Sequence, residues 1–380
     1  MQSEREGNKM HGITLTKAPA DWEILQQENG KASVALKGKF QVHPAAIEVG
    51  VERVTPVVRV MREDDNMTVI PWTNADHFTC NEKFQGEFEV TLEIPAGGPY
   101  RIDTSLETKS TVPDLTWLYR GDCVLHLGVG NLFIIAGQSN SAGYSRDFCI
   151  DPPSMDVHLY RNRSKWDIAS HPMNESTFAR SLANEEMGVP GVSPYLAFGK
   201  TYGKMTGMPV GLIQTSLGGS PMERWNPKDG DLYLNMVDKI HQTGGRYAGV
   251  LWYQGCSDTN PGPAEKYLEH FREYVEATRK ELGYEIPFFT MQLNRQINGI
   301  NDECWGMVRD AQARAAKEIP GVSVLTTSNL SLCDGIHNTA QANVALGEKL
   351  AKQCAHVLNG KEEYQPPELV KVERADEAER

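Results

Sequence analysis

The sequence predicts an α/β protein: a three-layer α/β/α domain with a parallel sheet, preceded by a smaller antiparallel β-sandwich-like domain. Three observations support this. Apolar runs without alternation, such as residues 132–136, indicate strands that are buried on both faces, which is typical of parallel sheets. After residue 125 such runs alternate with helical patterns. Before residue 125, short strands with alternating apolar and polar residues lie between turn-rich pieces.

The change of pattern near residue 125 also divides the chain, since 380 residues are long for a single core. We predict a smaller β domain over residues 1–125, an α/β domain over 126–360 and a solvated, charged tail over 361–380. In the first domain, residues 88–94 place their apolar side chains on one face, and residues 47–51 and 57–60 are also strand-like. This domain either binds a ligand or only supports the structure. Because no aromatic stripe is visible, we favour the structural role.

The second part of the chain supplies the elements of the parallel sheet and its crossover helices. The predicted strands cover residues 132–136, 210–213, 248–253, 290–294 and 322–326, and the predicted helices cover 263–282, 305–318 and the apolar pattern of 344–358. The segment 151–191 is long and loop-like. It is either a functional insertion over a site or a variable surface excursion.

The composition limits the classes of partner. The formal net charge is −12, which argues against nucleic acid or an anionic membrane as the main partner, because both attract basic patches. No stretch approaches the ~20 apolar residues that a membrane helix needs. The polar N-terminus, Met1 to Glu6, shows no secretory signal, although a processed chain would look the same.

The cysteines indicate a reducing compartment. Seven cysteines are scattered without any Cys-x-x-Cys pair, which favours reduced thiols over a disulfide framework or a zinc site. We therefore predict a cytoplasmic location. Cys256 and Cys333 lie beside the motifs described below, and we interpret both thiols as packing groups and not as nucleophiles.

A candidate nucleophile follows the first strand of the parallel sheet. The apolar run 132–136 ends at Gly137, and Ser139 stands two residues later, where a helix would begin. This places a hydroxyl at the carboxyl edge of a sheet and near a helix N-terminus, which favours developing negative charge. Taken alone, a Gly-x-Ser of this kind is more often an ordinary βα turn.

A candidate acid and base lie near the end of the chain. Asp334 precedes His337 by three residues, in a turn that contains Gly335. The carboxylate can accept a hydrogen bond from Nδ1 of the histidine, which leaves Nε2 free to take a proton from a serine. Alone, this pair could be a helix cap beside a surface histidine, or half of a metal site. Together with Ser139, it completes a hydrolytic triad.

Four motifs in order resemble a known family. They are Gly137-Gln138-Ser139-Asn140, the segment from Ser216 to Trp225, Trp252-Tyr253-Gln254-Gly255 and Asp334-Gly335-Ile336-His337. Over residues 90 to 355 the chain resembles the SGNH (GDSL-like) hydrolases, specifically the carbohydrate-esterase branch with sialate O-acetylesterases and acetylxylan esterases. The resemblance implies catalytic Ser139, Asp334 and His337, and an oxyanion hole made by the N–H groups of Ser139 and Gly218 and the side chain of Gln254. It implies no metal and no organic cofactor.

Substrate contacts are less transferable. We predict contacts from four motif residues, namely Gln138, Asn140, Glu223 and Trp225. The chain departs from the family pattern after Gly255, where Cys256-Ser257-Asp258 replaces the usual Glu-Ser/Ala-Asn. Ser141 replaces a common methionine, which makes the wall of the pocket more polar.

The predicted function is that of a serine carbohydrate esterase. It would remove O-acetyl groups from acetylated monosaccharides or oligosaccharides, derived from sialate or hemicellulose, through an acetyl-enzyme on Ser139. Two alternatives stay open: a non-catalytic carbohydrate-binding protein on the same fold, and a short-chain acyl esterase or transacylase acting on other substrates. The sequence does not identify the sugar, the acetylated position or the oligomeric state.

Overall fold

The computed structural model describes residues 11–48, 50–111, 116–186, 188, 190–297 and 299–360. The predicted tail over 361–380 lies outside the described residues. The strands are β1 (Gly12–Lys17), β2 (Ile24–Gln26), β3 (Lys31–Gln41), β4 (Val51–Arg62), β5 (Thr68–Asn74), β6 (His77–Phe78), β7 (Gln85–Pro95), β8 (Gly97–Ser110), β9 (Thr116–Gly137), β10 (Val157–Tyr160), β11 (Trp166–Ile168), β12 (Val210–Gln214), β13 (Gly249–Tyr253), β14 (Phe288–Met291) and β15 (Val322–Leu325). The helices are α1 (Pro44–Glu48), α2 (Ser139–Ala142), α3 (Tyr195–Thr206), α4 (Asp231–Gln242), α5 (Pro263–Leu282), α6 (Asp302–Glu318) and α7 (Ala340–Leu358).

The N-terminal part folds as two sheets around one apolar core. One sheet has the order β1-β3-β7-β6 and is antiparallel throughout. The other joins β5, β4, β8 and the first half of β9, also antiparallel. The alternation in β7 places Phe88, Val90, Leu92 and Ile94 in the core between them. The sequence predicts this face because neighbouring side chains of a strand point to opposite sides.

The long strand β9 connects the two parts of the chain. Its residues up to Val129 pair with β8 in the sandwich, whereas Asn131 to Gly137 pair with β12 and β13. The predicted boundary at 125/126 thus falls inside a single strand. The α/β part is therefore joined to the sandwich by continuous backbone and not by a linker.

The C-terminal part has three layers. The sheet order is β11-β10-β12-β9-β13-β14-β15, and every pair is parallel except the edge pair of β10 and β11. Along β9, Phe133 and Ile135 pack with residues of α3 and α7, while Leu132 and Ile134 face the cluster that contains α4, α5 and α6. Burial of both faces explains why this strand is apolar without alternation.

Two sequence predictions differ from the structure. Residues 47–48 belong to the short helix α1, which begins at Pro44, and not to a strand. Proline at a first helical position is favourable, because its missing N–H would have no partner there in any case. The segment 151–191 is not only a loop, because it contributes β10 and β11 to the parallel sheet.

The seven cysteines are all free. Within the described residues, no helix is long and apolar enough to cross a membrane.

Candidate active site

The turn after β9 holds Ser139 at the centre of the parallel sheet. Gly137 has φ +124°, and a Cβ at this position would lie 2.3 Å from the carbonyl oxygen of Tyr253, so only glycine fits. Ser139 then begins α2, a single helical turn that ends at Gly143. With one turn only, the helix dipole contributes less at Ser139 than the sequence suggested.

Ser139, His337 and Asp334 form one hydrogen-bonded chain. Nε2 of His337 lies 2.8 Å from Oγ of Ser139, and Nδ1 of His337 lies 2.7 Å from Oδ2 of Asp334. The second carboxylate oxygen, Oδ1, accepts hydrogen bonds from the N–H groups of Ile336 and His337 at 2.9 and 2.7 Å. The aspartate therefore fixes both the backbone of the turn and the orientation of the imidazole.

The Asp334 carboxylate is kept ionised. Partial burial opposes ionisation, but the hydrogen bonds from Ile336 and His337 outweigh it, so the pKa of Asp334 lies below its usual value. An ionised acceptor at Nδ1 favours the histidine tautomer with the proton on Nδ1. Nε2 is then free to accept a proton from the serine hydroxyl.

Asn140 joins the serine turn to the histidine turn. Its Nδ2 donates to the carbonyl oxygen of Ile336 at 3.2 Å, and its Oδ1 accepts the N–H of Asn338 at 3.1 Å. These two bonds enclose His337 from both sides along the backbone. Asn140 thereby sets the distance between the Ser139 hydroxyl and the imidazole.

Gln138 fastens the same turn to the loop after β13. Its Oε1 accepts the N–H groups of Gly255 and Ser257 at 2.9 and 3.2 Å. Only 2% of Gln138 is exposed, although the residue borders the cavity. Its position indicates that it supports the loop and offers little surface to a substrate.

Ser139 and His337 open into a cavity of about 530 Å³, a size common among ligand sites. The cavity lies at the carboxyl ends of β9, β12 and β13, where ligands of parallel sheets bind. Its walls include Tyr144, Leu182, Glu186, Gly218, Arg224 and Cys256.

The carboxylate of Glu186 accepts a hydrogen bond from Gly218, one of the donors of the predicted oxyanion hole. Oε2 of Glu186 accepts the N–H of Gly218 at 2.9 Å and Nδ2 of Asn174 at 2.7 Å. Its Oε1 accepts the hydroxyl of Tyr144 at 2.5 Å. The Tyr144 ring stacks on His337 with a centroid distance of 5.3 Å. Glu186 thus accepts the N–H of Gly218 and also holds Tyr144, the ring that stacks on His337.

A family model described as carbohydrate esterase, sialic acid-specific acetylesterase, matches residues 129–356, which is more than half of the chain. The chain belongs to this family. The matched residues contain the serine turn, the cavity and the histidine turn, and the resemblance inferred from the four motifs is confirmed. A probable carbohydrate esterase of Arabidopsis thaliana is 29% identical over 246 residues, which cover 58% of this chain and 88% of the relative.

Solved structures support the fold. The crystal structure of the Arabidopsis thaliana protein aligns with a TM-score of 0.52 at 24% identity, over 60% of this chain and 98% of that one. A carbohydrate acetylesterase from Xanthomonas citri aligns with a TM-score of 0.54 at 20% identity, over 92% of this chain and 76% of that one. The second alignment extends over most of the chain, including the N-terminal sandwich. At these identities, both show the fold alone.

The structure contradicts the predicted role of Gln254 in this carbohydrate esterase. The side chain is fully buried, and its Nε2 donates to the carbonyl oxygen of Ser220 at 3.0 Å and to Oδ2 of Asp258 at 2.5 Å. Both amide hydrogens are therefore used away from the cavity. Asp258 is the physical reason, because a carboxylate at this position accepts only, and it draws the amide donor toward itself.

Asp258 is itself an unusual buried acid. Only 3% of it is exposed, and both of its oxygens lie 3.1 Å from the N–H of Met222. Burial raises the pKa of Asp258 above its usual value, although the hydrogen bonds from Gln254 and Met222 oppose this. The departure from the family pattern at this residue thus supplies the acceptor that holds the Gln254 amide.

Three predicted substrate contacts do not face the cavity of Ser139. Trp225 is fully buried against Trp252 and Tyr274 in the core, so its ring offers no surface to a ligand. Glu223 lines a different cavity of about 580 Å³ beside α5. Asn140 is 2% exposed and holds backbone groups, as described above. Neighbouring residues of one motif point in different directions here, because Glu223 and Trp225 lie in a 3-10 helix (Met222–Trp225) and Asn140 lies in α2.

The thiol of Cys256 borders the cavity, but burial raises its pKa to about 12. It is therefore protonated at neutral pH, and a thiol is a weak nucleophile in this form. This agrees with the interpretation of Cys256 as a packing group.

Sequence reasoning missed Tyr144 and Glu186. Tyr144 follows the serine turn by five residues, and Glu186 comes from the 151–191 segment, which has no motif. The only sequence signal for Glu186 was the prediction that segment 151–191 is a functional insertion over a site. Leu182 and Glu186 from this segment do line the cavity.

Proposed function

We propose that this chain is a serine acetylesterase that removes O-acetyl groups from sugars. The observation that carries the proposal is the chain of hydrogen bonds from Ser139 through His337 to Asp334 at the mouth of the cavity. Membership of the carbohydrate esterase family supports acetylated carbohydrate as the substrate class. The proposed mechanism needs no metal and no cofactor.

Acylation begins when Oγ of Ser139 attacks the carbonyl carbon of the acetyl group. The hydroxyl proton moves to Nε2 of His337, and the imidazolium is stabilised by the Asp334 carboxylate. When the tetrahedral intermediate collapses, the sugar oxygen leaves and takes the proton from Nε2. Ser139 then carries the acetyl group.

Deacylation repeats these steps with water. His337 takes one proton from the water as its oxygen attacks the acetyl carbon, and this proton returns to Oγ of Ser139 as acetic acid leaves. The second proton of the water departs with the acid, which ionises to acetate in solution. The products are acetate and a sugar with a free hydroxyl.

The oxyanion needs donors aimed at the carbonyl oxygen. No described acceptor pairs with the N–H of Ser139, so this group is the donor on which the proposal rests. The N–H of Gly218 would join it when the Glu186 carboxylate gives up its hydrogen bond.

The substrate class is tested by acetate release from acetylated xylo-, manno- and sialo-saccharides. Initial rates are compared with those on p-nitrophenyl esters of increasing chain length. We expect acetylated saccharides to give the highest kcat/KM and the esters to lose activity beyond acetate. Higher activity on longer acyl chains would favour the general acyl esterase, and transfer of the acetyl group to an added alcohol instead of water would favour the transacylase.

The serine mechanism is tested by Ser139→Ala with Ser257→Ala as the matched control. Both remove one hydroxyl at the same cavity, but only Ser139 contacts His337. We expect Ser139→Ala to lose roughly 10³-fold or more in kcat and Ser257→Ala to stay within a few-fold of wild type. If Ser139→Ala were as active as Ser257→Ala and wild type, Ser139 would not be the nucleophile. A folded wild type without any acetate release would favour the non-catalytic binding protein.

The cytoplasmic location is part of the same proposal. It rests on the scattered, odd set of cysteines. In a cytoplasm, the substrates would be small imported saccharides. Thiol titration of the native protein from its source is expected to count close to seven free thiols after unfolding.

A further inference from the structure

The N-terminal sandwich carries a second cavity that the esterase mechanism does not use. Its volume is about 350 Å³, within the range of ligand sites. Residues of β4, β5, β8 and β9 line it, namely Arg59, Trp72, Arg101, Asp103 and Arg120, with small residues between them. These side chains alternate along β4 and β8 with Val58, Val60 and Ile102 of the core, so the cavity lies on the outer face of the sheet.

The charge of this cavity is opposite to that of the whole protein. Three guanidinium groups and one carboxylate line it, which leaves an excess of two positive charges in a chain of net charge −12. Arg120 is exposed and forms no ion pair with any described residue. An excess of positive charge in a concave site attracts an anion.

The arginines are also held in place. The Asp103 side chain is only 14% exposed, and it accepts Nε of Arg59 at 2.9 Å and Nε of Arg101 at 2.9 Å. The guanidinium of Arg59 lies 4.6 Å above the ring of Trp72. One carboxylate therefore orients two guanidinium groups, while several of their N–H donors have no described acceptor.

We propose that this cavity binds a carboxylate-bearing saccharide, a uronate or a sialate, separately from the catalytic cavity. The planar fork of an arginine matches a carboxylate through two hydrogen bonds. Trp72 remains 37% exposed beside Arg59 and offers an apolar surface to the C–H face of a sugar ring. A long polyanion such as nucleic acid fits less well, because the rest of the acidic protein would repel it.

The sandwich would then hold an acidic saccharide through its carboxylate, whereas the α/β part presents the hydroxyl of Ser139 at another place. This assignment revises the purely structural role that the sequence favoured. The sequence offered no signal, because the three arginines lie on three different strands that meet only in the folded sheet.

The test is isothermal titration of the full chain with saccharides that carry no O-acetyl ester, so that binding is measured without turnover. The probes are a glucuronate-substituted xylotriose, N-acetylneuraminic acid, neutral xylotriose and inorganic sulfate. We expect at least one of the two carboxylated saccharides to bind about tenfold or more tightly than the neutral one. Its affinity should fall as sodium chloride rises from 50 to 500 mM.

Two variants locate the site, and a third is the control. Arg120→Gln and Trp72→Ala change exposed positions, and each should weaken binding at least about fivefold. Arg53→Gln removes the same charge from β4 outside the cavity and should leave the affinity unchanged. All three should keep the wild-type rate on p-nitrophenyl acetate. A protein without esterase activity would defeat the proposed function but would not affect these titrations.

Three results would overturn the proposal. They are equal affinity for neutral and carboxylated saccharides, equal affinity for sulfate and the carboxylated saccharides, and affinities of Arg120→Gln and Trp72→Ala within twofold of wild type.

Discussion

The carboxylate of Glu186 accepts a hydrogen bond of 2.9 Å from the N–H of Gly218, the same backbone group that the family resemblance assigns to the oxyanion. Tyr144 and Asn174 complete the hydrogen bonding of this carboxylate. In this arrangement a negative charge stands beside the place where the reaction develops another one. In the proposed mechanism, the N–H of Gly218 serves the oxyanion only when it exchanges Glu186 for the substrate oxygen.

Glu186→Gln should raise kcat, because the amide keeps an acceptor at this position but removes the charge. Even a repulsion of about 1 kcal/mol corresponds to about fivefold in rate. The measurement is steady-state kinetics on an acetylated saccharide, with Glu185→Gln as the neighbouring control at the same cavity. A tenfold fall in kcat for Glu186→Gln would contradict this view and show that the carboxylate aligns Gly218 for catalysis.

Gln254→Ala should reduce stability more than activity. The variant removes a donor from the buried Asp258 carboxylate, and loss of such a partner costs on the order of 1–3 kcal/mol. We expect kcat to fall by less than about tenfold, since a true oxyanion donor is worth on the order of 10²–10³. Urea unfolding and kinetics of Gln254→Ala and Cys256→Ala decide the point. A loss of 10² or more in kcat with unchanged stability would return Gln254 to the oxyanion hole.

Asp334→Asn should preserve the fold and remove most of the activity. An asparagine can still accept the N–H groups of Ile336 and His337 through Oδ1. Its NH₂ group would then face Nδ1 of the imidazole and favour the tautomer with the proton on Nε2, which cannot accept a proton from Ser139. By analogy with other triads, the loss in kcat is on the order of 10³–10⁴. Activity within tenfold of wild type would mean that Asp334 does not orient the base.

Lys239 provides a pH dependence of stability. Its Nζ donates to Oδ1 of Asn162 and of Asn184 at 2.8 and 3.0 Å and to the carbonyl oxygen of Gln214. Burial lowers the pKa of Lys239 from 10.5 to about 7. Between these values the unfolded chain binds more protons than the folded one, so this residue makes the protein more stable as pH rises from 7 toward 10.5.

We expect the difference in free energy of unfolding between wild type and Lys239→Met to change with pH. From pH 7 to pH 9, the free energy of unfolding of wild type should increase relative to that of the variant. The relative increase is at most about 1.4 kcal/mol per pH unit. Urea unfolding at both pH values measures it, and Lys266→Met on the exposed side of α5 is the control. A difference that does not vary with pH would mean that Lys239 does not titrate in this window.

The elements around the triad could be predicted because their signals are local. The apolar run of β9 and the glycine after it locate Ser139, and the spacing of Asp334 and His337 is that of one turn. Strand β10 was not predicted, because four residues between turns are too few to show a hydrophobic period. Its extended conformation depends on pairing with β12, which is distant in sequence.

The donor set of the site was not predictable in the same way. Glu186 has no sequence pattern, and its position depends on Gly218 and Asn174, which come from other parts of the chain. For Gln254, the sequence shows that Asp258 departs from the family pattern. Only the folded loop shows that the Asp258 carboxylate accepts a hydrogen bond from the Gln254 amide.

Covalent labelling tests the central claim most directly, namely that Ser139 is the nucleophile. The wild type is treated with a fluorophosphonate, digested and analysed by peptide mass spectrometry. We expect one label per chain, on Ser139, with no label on the Ser139→Ala variant and a much slower reaction in His337→Ala, because the histidine activates the hydroxyl. An unlabelled wild type that releases acetate, or a label on another residue such as Ser257, would contradict the account.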